Sequence, residues 1–362
     1  MWSIYAPLIH CTAASCYAAP PLIPSLTLPL RTSLAWRATF RPLSRVATTF
    51  PDYRTIMSLP IIDFSSPNRL ATAKMLTEAM ETVGFVYLDN VPGFNKEVEE
   101  KLHKAANWFF SLPLDEKLRL SPKNWNPDAE GVYRGYVPIS EADNHLREQY
   151  EMGEILPGDD PDRNSGNPIY EPTPLPHEEN LPFRELMYAH YYAMVNAGME
   201  FLRLLAIGME LDEHEFDERF RPKSVSTLRI MHYPTYQPKS ESTLTCEEHI
   251  DTVFVTLLAS FNYSGLEILR DDGTWMSVAP RPGSLAVNIG DLLSRLTKGR
   301  FKATYHRVQD IGQDRYSMPF FFEPRSNAKF EFSDGSIITY GPWMIQRLRR
   351  HKYQFAHLPD FP

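Results

Sequence analysis

A histidine and an aspartate two positions apart are the residues of this sequence with the clearest chemistry. His249 and Asp251 precede the apolar, β-branched run at residues 253–258, which predicts a buried strand. If extended backbone begins a few residues earlier, both side chains project from the same face of that strand. An imidazole and a carboxylate aimed at one point supply two ligands of a mononuclear metal site.

The third ligand is expected from another strand, because no further His or Asp follows Asp251 closely. His306, in the β-rich run at residues 303–308, is the best candidate. Two histidines and one carboxylate leave one face of an octahedral metal open, as in non-heme Fe(II) oxygenases. The His-x-Asp motif alone is a weak signal, since His249 could also be a hydrogen-bonded polar residue at a strand start.

A second polar pair begins nine residues after His306. Arg315 and Ser317 alternate on one predicted strand with apolar surroundings, so they share a face. A buried guanidinium needs an anionic partner, and no acid in the sequence is an obvious one. A bound carboxylate would satisfy it in a bidentate, charge-assisted way, and Ser317 could add a hydrogen bond. The alternative is that Arg315 faces solvent while neighbouring aromatic residues fill the core.

Together, these motifs resemble the signature of the Fe(II)/2-oxoglutarate-dependent dioxygenases, in the branch that includes isopenicillin N synthase and the plant soluble oxygenases. The similarity covers most of residues 59–345. The segments that resemble the family's N-terminal region and barrel strands are 59–63, 84–88, 265–268 and 282–291.

The resemblance implies a fold and a set of residue roles. The fold is α+β: a distorted double-stranded β-helix, or jelly roll, with flanking helices and an N-terminal α/β layer. The residues implied to bind Fe(II), and so to be catalytic, are His249, Asp251 and His306. Arg315 and Ser317 would hold the distal carboxylate of 2-oxoglutarate, and Tyr233 keeps the position whose hydroxyl reaches this cosubstrate.

The sequence departs from the family pattern at two places. The usual Asn-x-Tyr-Pro is Met231-His232-Tyr233-Pro234, so Met231 replaces the Asn. His232 falls on the opposite face from Tyr233 and is expected to pack rather than to bind metal. The N-terminal segment at residues 89–93 lacks the usual Asn-His-Gly.

The implied activity is the hydroxylation or desaturation of a small organic molecule, in secondary metabolism, with release of succinate and CO2. The implied cofactors are Fe(II), 2-oxoglutarate as cosubstrate, and O2, with ascorbate as a candidate reductant. One alternative is an isopenicillin N synthase-like oxidase or cyclase that uses no 2-oxoglutarate. Another is a non-catalytic ligand-binding protein, which the complete set of metal ligands disfavours.

Composition limits the partners. The net charge of −8 and the pI of about 5.8 give no electrostatic support for nucleic-acid binding. No run of eighteen apolar residues is present, so no membrane span is predicted. The three cysteines, Cys11, Cys16 and Cys246, are too few for a disulfide framework and indicate a reducing compartment. The oligomeric state stays open.

Residues 1–56 differ from the rest of the chain. They are rich in Arg and Ser and have no acid before Asp52, which is typical of an organellar transit peptide. Seven prolines weaken any long amphipathic helix there, and translation could instead start at Met57. The predicted location is cytoplasmic, or mitochondrial or another organelle if this leader is a genuine transit peptide.

The remaining chain is divided into three regions. They are 57–180, an N-terminal dioxygenase region; 181–345, a long helix and the jelly-roll core; and 346–362, a helix end and tail. Apolar periodicity predicts helices at residues 69–82, 95–110, 183–209 and 342–352. Strands are predicted at residues 59–64, 84–88, 226–233, 253–260, 266–270, 275–278, 284–288, 302–308 and 316–323. Residues 121–182 are expected to be irregular, with Glu151, Asp159, Asp160 and Asp162 as solvated loop charges.

Aromatic residues near the motifs are candidates for the substrate pocket. They are Phe254, Phe320 and Phe322 on strands, and Tyr136 and Tyr150 in the irregular segment. Core packing is the default interpretation for each. Arg134 is a candidate anchor for an acidic substrate, with a surface loop arginine as the default interpretation.

Overall fold

The computed structural model describes residues 58–140, 146–177, 182–235 and 244–351, together with Phe355 and Leu358. The expectations about the leader at residues 1–56 lie outside the described residues. No helix among those described has the length and apolar character needed to cross a membrane.

The N-terminal layer consists of two strands and three helices. Its elements are β1 (Ile61–Asp63), α1 (Arg69–Thr82), β2 (Phe85–Asp89), α2 (Lys96–Ser111) and α3 (Leu114–Arg119). The strands β1 and β2 are parallel neighbours joined by α1. Asn68 caps α1, because its side chain accepts a hydrogen bond from the backbone N–H of Ala71. The predicted N-terminal α/β layer is therefore present.

Two facing sheets form the barrel. The strands are β3 (Gly135–Val137), β4 (Glu148–Met152), β5 (Thr227–Tyr233), β6 (Leu244–His249), β7 (Val255–Ala259), β8 (Leu266–Leu269), β9 (Trp275–Ser277), β10 (Leu285–Ile289), β11 (His306–Gln309) and β12 (Arg315–Phe322). One sheet has the order β1-β2-β10-β7-β12-β5-β4-β3 and the other β6-β11-β8-β9. From β5 to β12 the chain passes back and forth between the sheets, which confirms the predicted jelly roll.

Helices cover the outer face of the larger sheet. The later elements are α4 (Phe183–Gly208), α5 (Asp217–Phe220), α6 (Asp291–Leu296), β13 (Lys329–Glu331), β14 (Ile337–Thr339) and α7 (Tyr340–His351). The ring of Tyr191 in α4 packs edge-on against Phe320 of β12, with 5.1 Å between centroids. At Gly198 a Cβ atom would lie only 2.5 Å from the Phe322 ring, so α4 and β12 are in close contact.

The irregular structure expected for residues 121–182 is only partly correct. The strands β3 and β4 lie in this segment, and β4 pairs along its length with β5. Glu151 is fully buried on β4 and forms an ion pair with Arg229 at 2.7 Å, so its interpretation as a solvated charge is wrong. Asp160 is also buried, and its carboxylate lies 2.7 Å from the ammonium of Lys223.

Candidate active site

The two histidines of the predicted metal site are direct neighbours across a strand pair. His249 is the last residue of β6, and His306 is the first of β11. The antiparallel register pairs these two residues, and their ring centroids are 4.2 Å apart. The site is therefore built on the regular hydrogen bonding of the smaller sheet.

Asp251 reaches the same point by a different route from the one predicted. It does not share a strand with His249, because β6 ends at His249 and β7 begins only at Val255. Between them the chain crosses from the smaller to the larger sheet, and Asp251 lies in this crossing. Its Oδ1 atom is 3.6 Å from Nε2 of His249 and 3.7 Å from Nε2 of His306. The three ligand atoms lie within 4.8 Å of one another.

Hydrogen bonds to the outer atoms orient all three side chains. The hydroxyl of Thr256 and the amide of Asn288 donate to Oδ2 of Asp251 at 2.7 and 2.9 Å, which leaves Oδ1 facing the histidines. Nδ1 of His249 lies 2.9 Å from the carbonyl of Glu247, and Nδ1 of His306 lies 3.2 Å from that of Thr304. A neutral imidazole that donates from Nδ1 presents its Nε2 lone pair, as a metal ligand requires.

The charge states of Asp251 and His306 suit a divalent cation. At His249, burial lowers the pKa, but the interactions with Asp251 and Cys246 outweigh it and raise that pKa to about 11. Burial alone would raise the pKa of Asp251, but the neighbouring imidazoles and the Asn288 amide outweigh it and hold that pKa well below its usual range. Burial lowers the pKa of His306, which favours the neutral, ligating form. The donor set therefore fits a divalent metal held by two nitrogens and one oxygen.

A buried arginine with no acidic partner among the described residues lies at the start of β12. Arg315 is 3% exposed, and its Nε donates to the carbonyl of Ser264 at 3.2 Å. Its Nη1 is buried and bonds to none of the described atoms. The Tyr233 ring packs against the guanidinium at 4.8 Å, and the register places Tyr233 opposite Arg315 and Met231 opposite Ser317. A buried guanidinium with an open hydrogen-bond donor favours the binding of an anion.

One cavity of about 1030 Å³ connects the candidate metal ligands with Arg315 and Ser317. Its wall follows alternate residues of β12 and β5. These are Arg315, Ser317, Pro319 and Phe321 on the first strand, Glu323 directly after it, and Thr227, Arg229, Met231 and Tyr233 on the second. A cavity of this size holds a cosubstrate and a small organic molecule together.

Comparisons with known proteins agree with this geometry. The 2OG-Fe(II) oxygenase superfamily matches residues 224–324, and the N-terminal region described as that of a non-haem dioxygenase in morphine synthesis matches residues 59–178. A 2-oxoglutarate-Fe(II) type oxidoreductase of Emericella nidulans is 32% identical over 73% of this chain and 78% of its own length. A 2-oxoglutarate-dependent dioxygenase of Monascus ruber is also 32% identical, over 73% of this chain and 84% of its own.

Among solved structures, a full-length Neurospora crassa protein in complex with alpha-KG has a TM-score of 0.70 and 26% identity, covering 81% of this chain and 96% of that one. This chain belongs to the 2OG-Fe(II) oxygenase superfamily. It is an oxidoreductase that uses Fe(II), 2-oxoglutarate and O2 and acts on a small molecule. An oxidase that uses no 2-oxoglutarate is not favoured, because the relatives are named for this cosubstrate.

The strand aromatics of the oxygenase pack in the core, as the default interpretation has it, and do not line the cavity. Phe254, Phe320 and Phe322 are fully buried in the core, where Phe320 packs on α4 and Phe322 stacks on Phe220. Phe321 lines the cavity instead. The reason is strand alternation: Arg315 and Ser317 face inward, so residues 320 and 322 must face outward. The same alternation, applied consistently, would have identified Phe321.

The candidates from the irregular segment are also buried away from the cavity. The hydroxyl of Tyr136 donates to Glu148 at 2.6 Å, and that of Tyr150 donates to the carbonyl of Pro174. Arg134 is 1% exposed, so the default interpretation as a surface arginine is wrong, and it is not among the residues that line the cavity. Tyr133, next to it, does line the cavity.

His232 lies on the face of β5 opposite Tyr233. Its ring stacks on Tyr316 at 4.6 Å with an interplanar angle of 11°, and its Nδ1 lies 2.8 Å from a carboxylate oxygen of Glu148. This side chain therefore packs against Tyr316 of β12 and Phe110 of α2, away from the candidate metal ligands.

Proposed function

We propose that His249, Asp251 and His306 bind the Fe(II) of this oxygenase. The support is the convergence of two Nε2 atoms and one carboxylate oxygen within 4.8 Å, each with its outer atom held by a hydrogen bond. Thr256 and Asn288 act as positioning residues, because they fix which oxygen of Asp251 faces the histidines.

We further propose that Arg315 and Ser317 bind the distal carboxylate of 2-oxoglutarate, with Tyr233 beside them. The single observation that carries this assignment is the buried guanidinium of Arg315, whose Nη1 has no partner among the described residues. A carboxylate there would restore charge balance and fill the open donor. The hydroxyl of Tyr233 lies 3.4 Å from the sulfur of Met231, a weak acceptor that it can leave for a carboxylate oxygen.

The division of labour follows from these positions. When bound, Fe(II) supplies the redox chemistry that couples the decarboxylation of 2-oxoglutarate by O2 to the oxidation of a C–H bond. Arg315 and Ser317 hold one end of the cosubstrate, and the rest of the cavity wall positions the substrate. The chain thereby carries out the hydroxylation or desaturation of a small organic molecule, with release of succinate and CO2.

The assignment of the metal ligands is tested by iron binding and succinate release. We expect His249→Ala, Asp251→Ala and His306→Ala each to lose stoichiometric Fe(II) binding and 2-oxoglutarate-dependent succinate formation. His177→Ala is the matched control, because His177 is exposed and outside the cavity. Full iron-dependent turnover in any of the three variants would contradict the ligand assignment.

We also propose that the mature enzyme begins near Met57 and is cytoplasmic. The prolines in residues 1–56 favour this over an amphipathic transit helix. N-terminal sequencing of the protein from its native cells tests it: a start at or near Met57 in the soluble cytosolic fraction is expected. Cleavage at another site, with recovery from an organelle, would contradict it.

A further inference from the structure

The cavity holds two buried arginines on adjacent strands, and they differ in their partners. Arg315 has no carboxylate within ion-pair distance among the described residues, as shown above. Arg229, on β5, donates from Nε and Nη2 to one oxygen of Glu151 at 2.9 and 2.7 Å. Its guanidinium also packs on the ring of Phe321, with 4.7 Å between the carbon Cζ and the ring centroid. The charge of Arg229 is therefore already balanced.

The metal ligands lie near the Arg229 end of the cavity. Thr256, which holds Asp251, pairs with Phe321 in the register of β7 and β12. Arg315 is the first residue of β12, at the opposite end of the strand from Phe321. The cosubstrate would extend from the metal toward Arg315, so the wall formed by Arg229 and Phe321 is left for the substrate.

An acidic side chain completes this end. Glu323 lines the cavity two residues beyond Phe321, directly after the end of β12. One of its oxygens accepts a hydrogen bond from the hydroxyl of Tyr340 at 2.9 Å. Burial raises the pKa of Glu323 to about 7, so a large share of this carboxyl is neutral at neutral pH. A neutral carboxyl can both donate and accept hydrogen bonds.

We propose that the substrate of this oxygenase is an uncharged molecule with an amide or imide group, whose carbonyl accepts from Arg229 and whose N–H faces Glu323. The inference rests on the proposed function, because it takes the Arg315 end for 2-oxoglutarate. An anionic substrate is disfavoured at the Arg229 end. It would have to compete with Glu151 for Arg229 and would lie against a second acidic group, Glu323.

The test uses matched pairs of probes that differ in charge. The pairs are nicotinamide and nicotinate, benzamide and benzoate, and indole-3-acetamide and indole-3-acetate. Binding to the holoenzyme loaded with Fe(II) and 2-oxoglutarate is measured by calorimetry without O2. We expect the amide of at least one pair to bind about tenfold or more tightly than its carboxylate, as expected for hydrogen bonds to a charged group. Equal binding, tighter carboxylate binding, or no binding of either member throughout would overturn the inference.

A variant that removes the charge of Glu151 should reverse the preference for the amide over the carboxylate. Glu151→Gln leaves Arg229 without its partner and should reverse the preference, so that the carboxylate of the responsive pair gains about tenfold or more in affinity. Glu116→Gln makes the same charge change on an exposed residue and should leave the preference unchanged. Unaltered preference in folded Glu151→Gln would also overturn the inference.

Two further measurements separate the possible failures. The double variant Arg229→Gln and Glu151→Gln removes both charges, so it should lose the amide preference without gaining the carboxylate. If the double variant keeps the full preference for the amide over the carboxylate, the role of Arg229 is contradicted. This holds even if Glu151→Gln alone does not fold. Succinate release by the wild-type enzyme without any probe tests the proposed function separately, because it does not depend on the substrate wall.

Discussion

At the residue scale, two hydrogen-bond donors, Thr256 and Asn288, fix the orientation of Asp251 in the candidate metal site. Residue type and spacing indicated His249, Asp251 and His306, because few combinations of side chains can form such a site. Thr256 and Asn288 lie in apolar strand runs, and nothing local shows that both point at one oxygen of Asp251. The only available signal was an amide in the otherwise apolar run of β10.

The supports of Asp251 can be tested through metal affinity. We expect Asn288→Ala to weaken Fe(II) binding by about 10- to 100-fold, because Asp251 loses a hydrogen bond that orients its free oxygen. Anaerobic titration with Fe(II) measures the effect. Asn124→Ala, at an exposed position, is the control. Unchanged affinity in Asn288→Ala would show that Thr256 and the backbone suffice.

Glu323 makes stability depend on pH in a defined direction. Its pKa in the folded protein, about 7 because of burial, lies above that of an unfolded glutamate. Glu323 therefore contributes its full stabilisation to the folded protein at pH values below the pKa of an unfolded glutamate. This stabilisation is lost as the pH rises through about 7.

Glu323→Gln removes this titration. The wild type should lose stability relative to the variant between pH 5 and pH 8, by up to about 3 kcal/mol. Urea unfolding of both proteins at the two pH values measures the difference. A difference that stays constant with pH would show that Glu323 titrates alike in the folded and unfolded chains.

At the element scale, local patterns predicted helices well and some strands poorly. The helix α1 has its predicted bounds, because an apolar period and the Asn68 cap are both local signals. The strand β4 was missed because its buried glutamates resemble loop charges. Their partners come from distant parts of the chain: Glu148 bonds to Lys117 and Glu151 to Arg229. Burial of such residues depends on tertiary pairing, which no local pattern reveals.

The contact between α4 and β12 leaves no room at Gly198. We expect Gly198→Ala to destabilise the protein by about 1–3 kcal/mol, because the new methyl group would lie 2.5 Å from the Phe322 ring in a packed core. Urea unfolding measures the change. Asn196→Ala on the exposed side of α4 is the control and should have little effect. A neutral or stabilising Gly198→Ala would show that α4 can shift away from the sheet.

At the scale of the whole molecule, the barrel explains why two separate motifs form one site. The chain crosses between sheets at residues 250–254, and this crossing brings Asp251 to the paired histidines. The sequence predicted correctly that His249 and Asp251 lie close together. The predicted reason, one shared strand face, is wrong, because Asp251 lies between β6 and β7. The larger sheet then continues the same cavity along β12 and β5 to Arg315.

Arg315 is the residue on which binding of the 2-oxoglutarate carboxylate depends most. The direct measurement is the affinity of the Fe(II)-loaded enzyme for 2-oxoglutarate without O2, in the wild type, in Arg315→Gln and in Arg119→Gln, an exposed control. Arg315→Gln should weaken binding by at least about 30-fold, while Arg119→Gln should not change it. Wild-type affinity in Arg315→Gln would contradict the central claim.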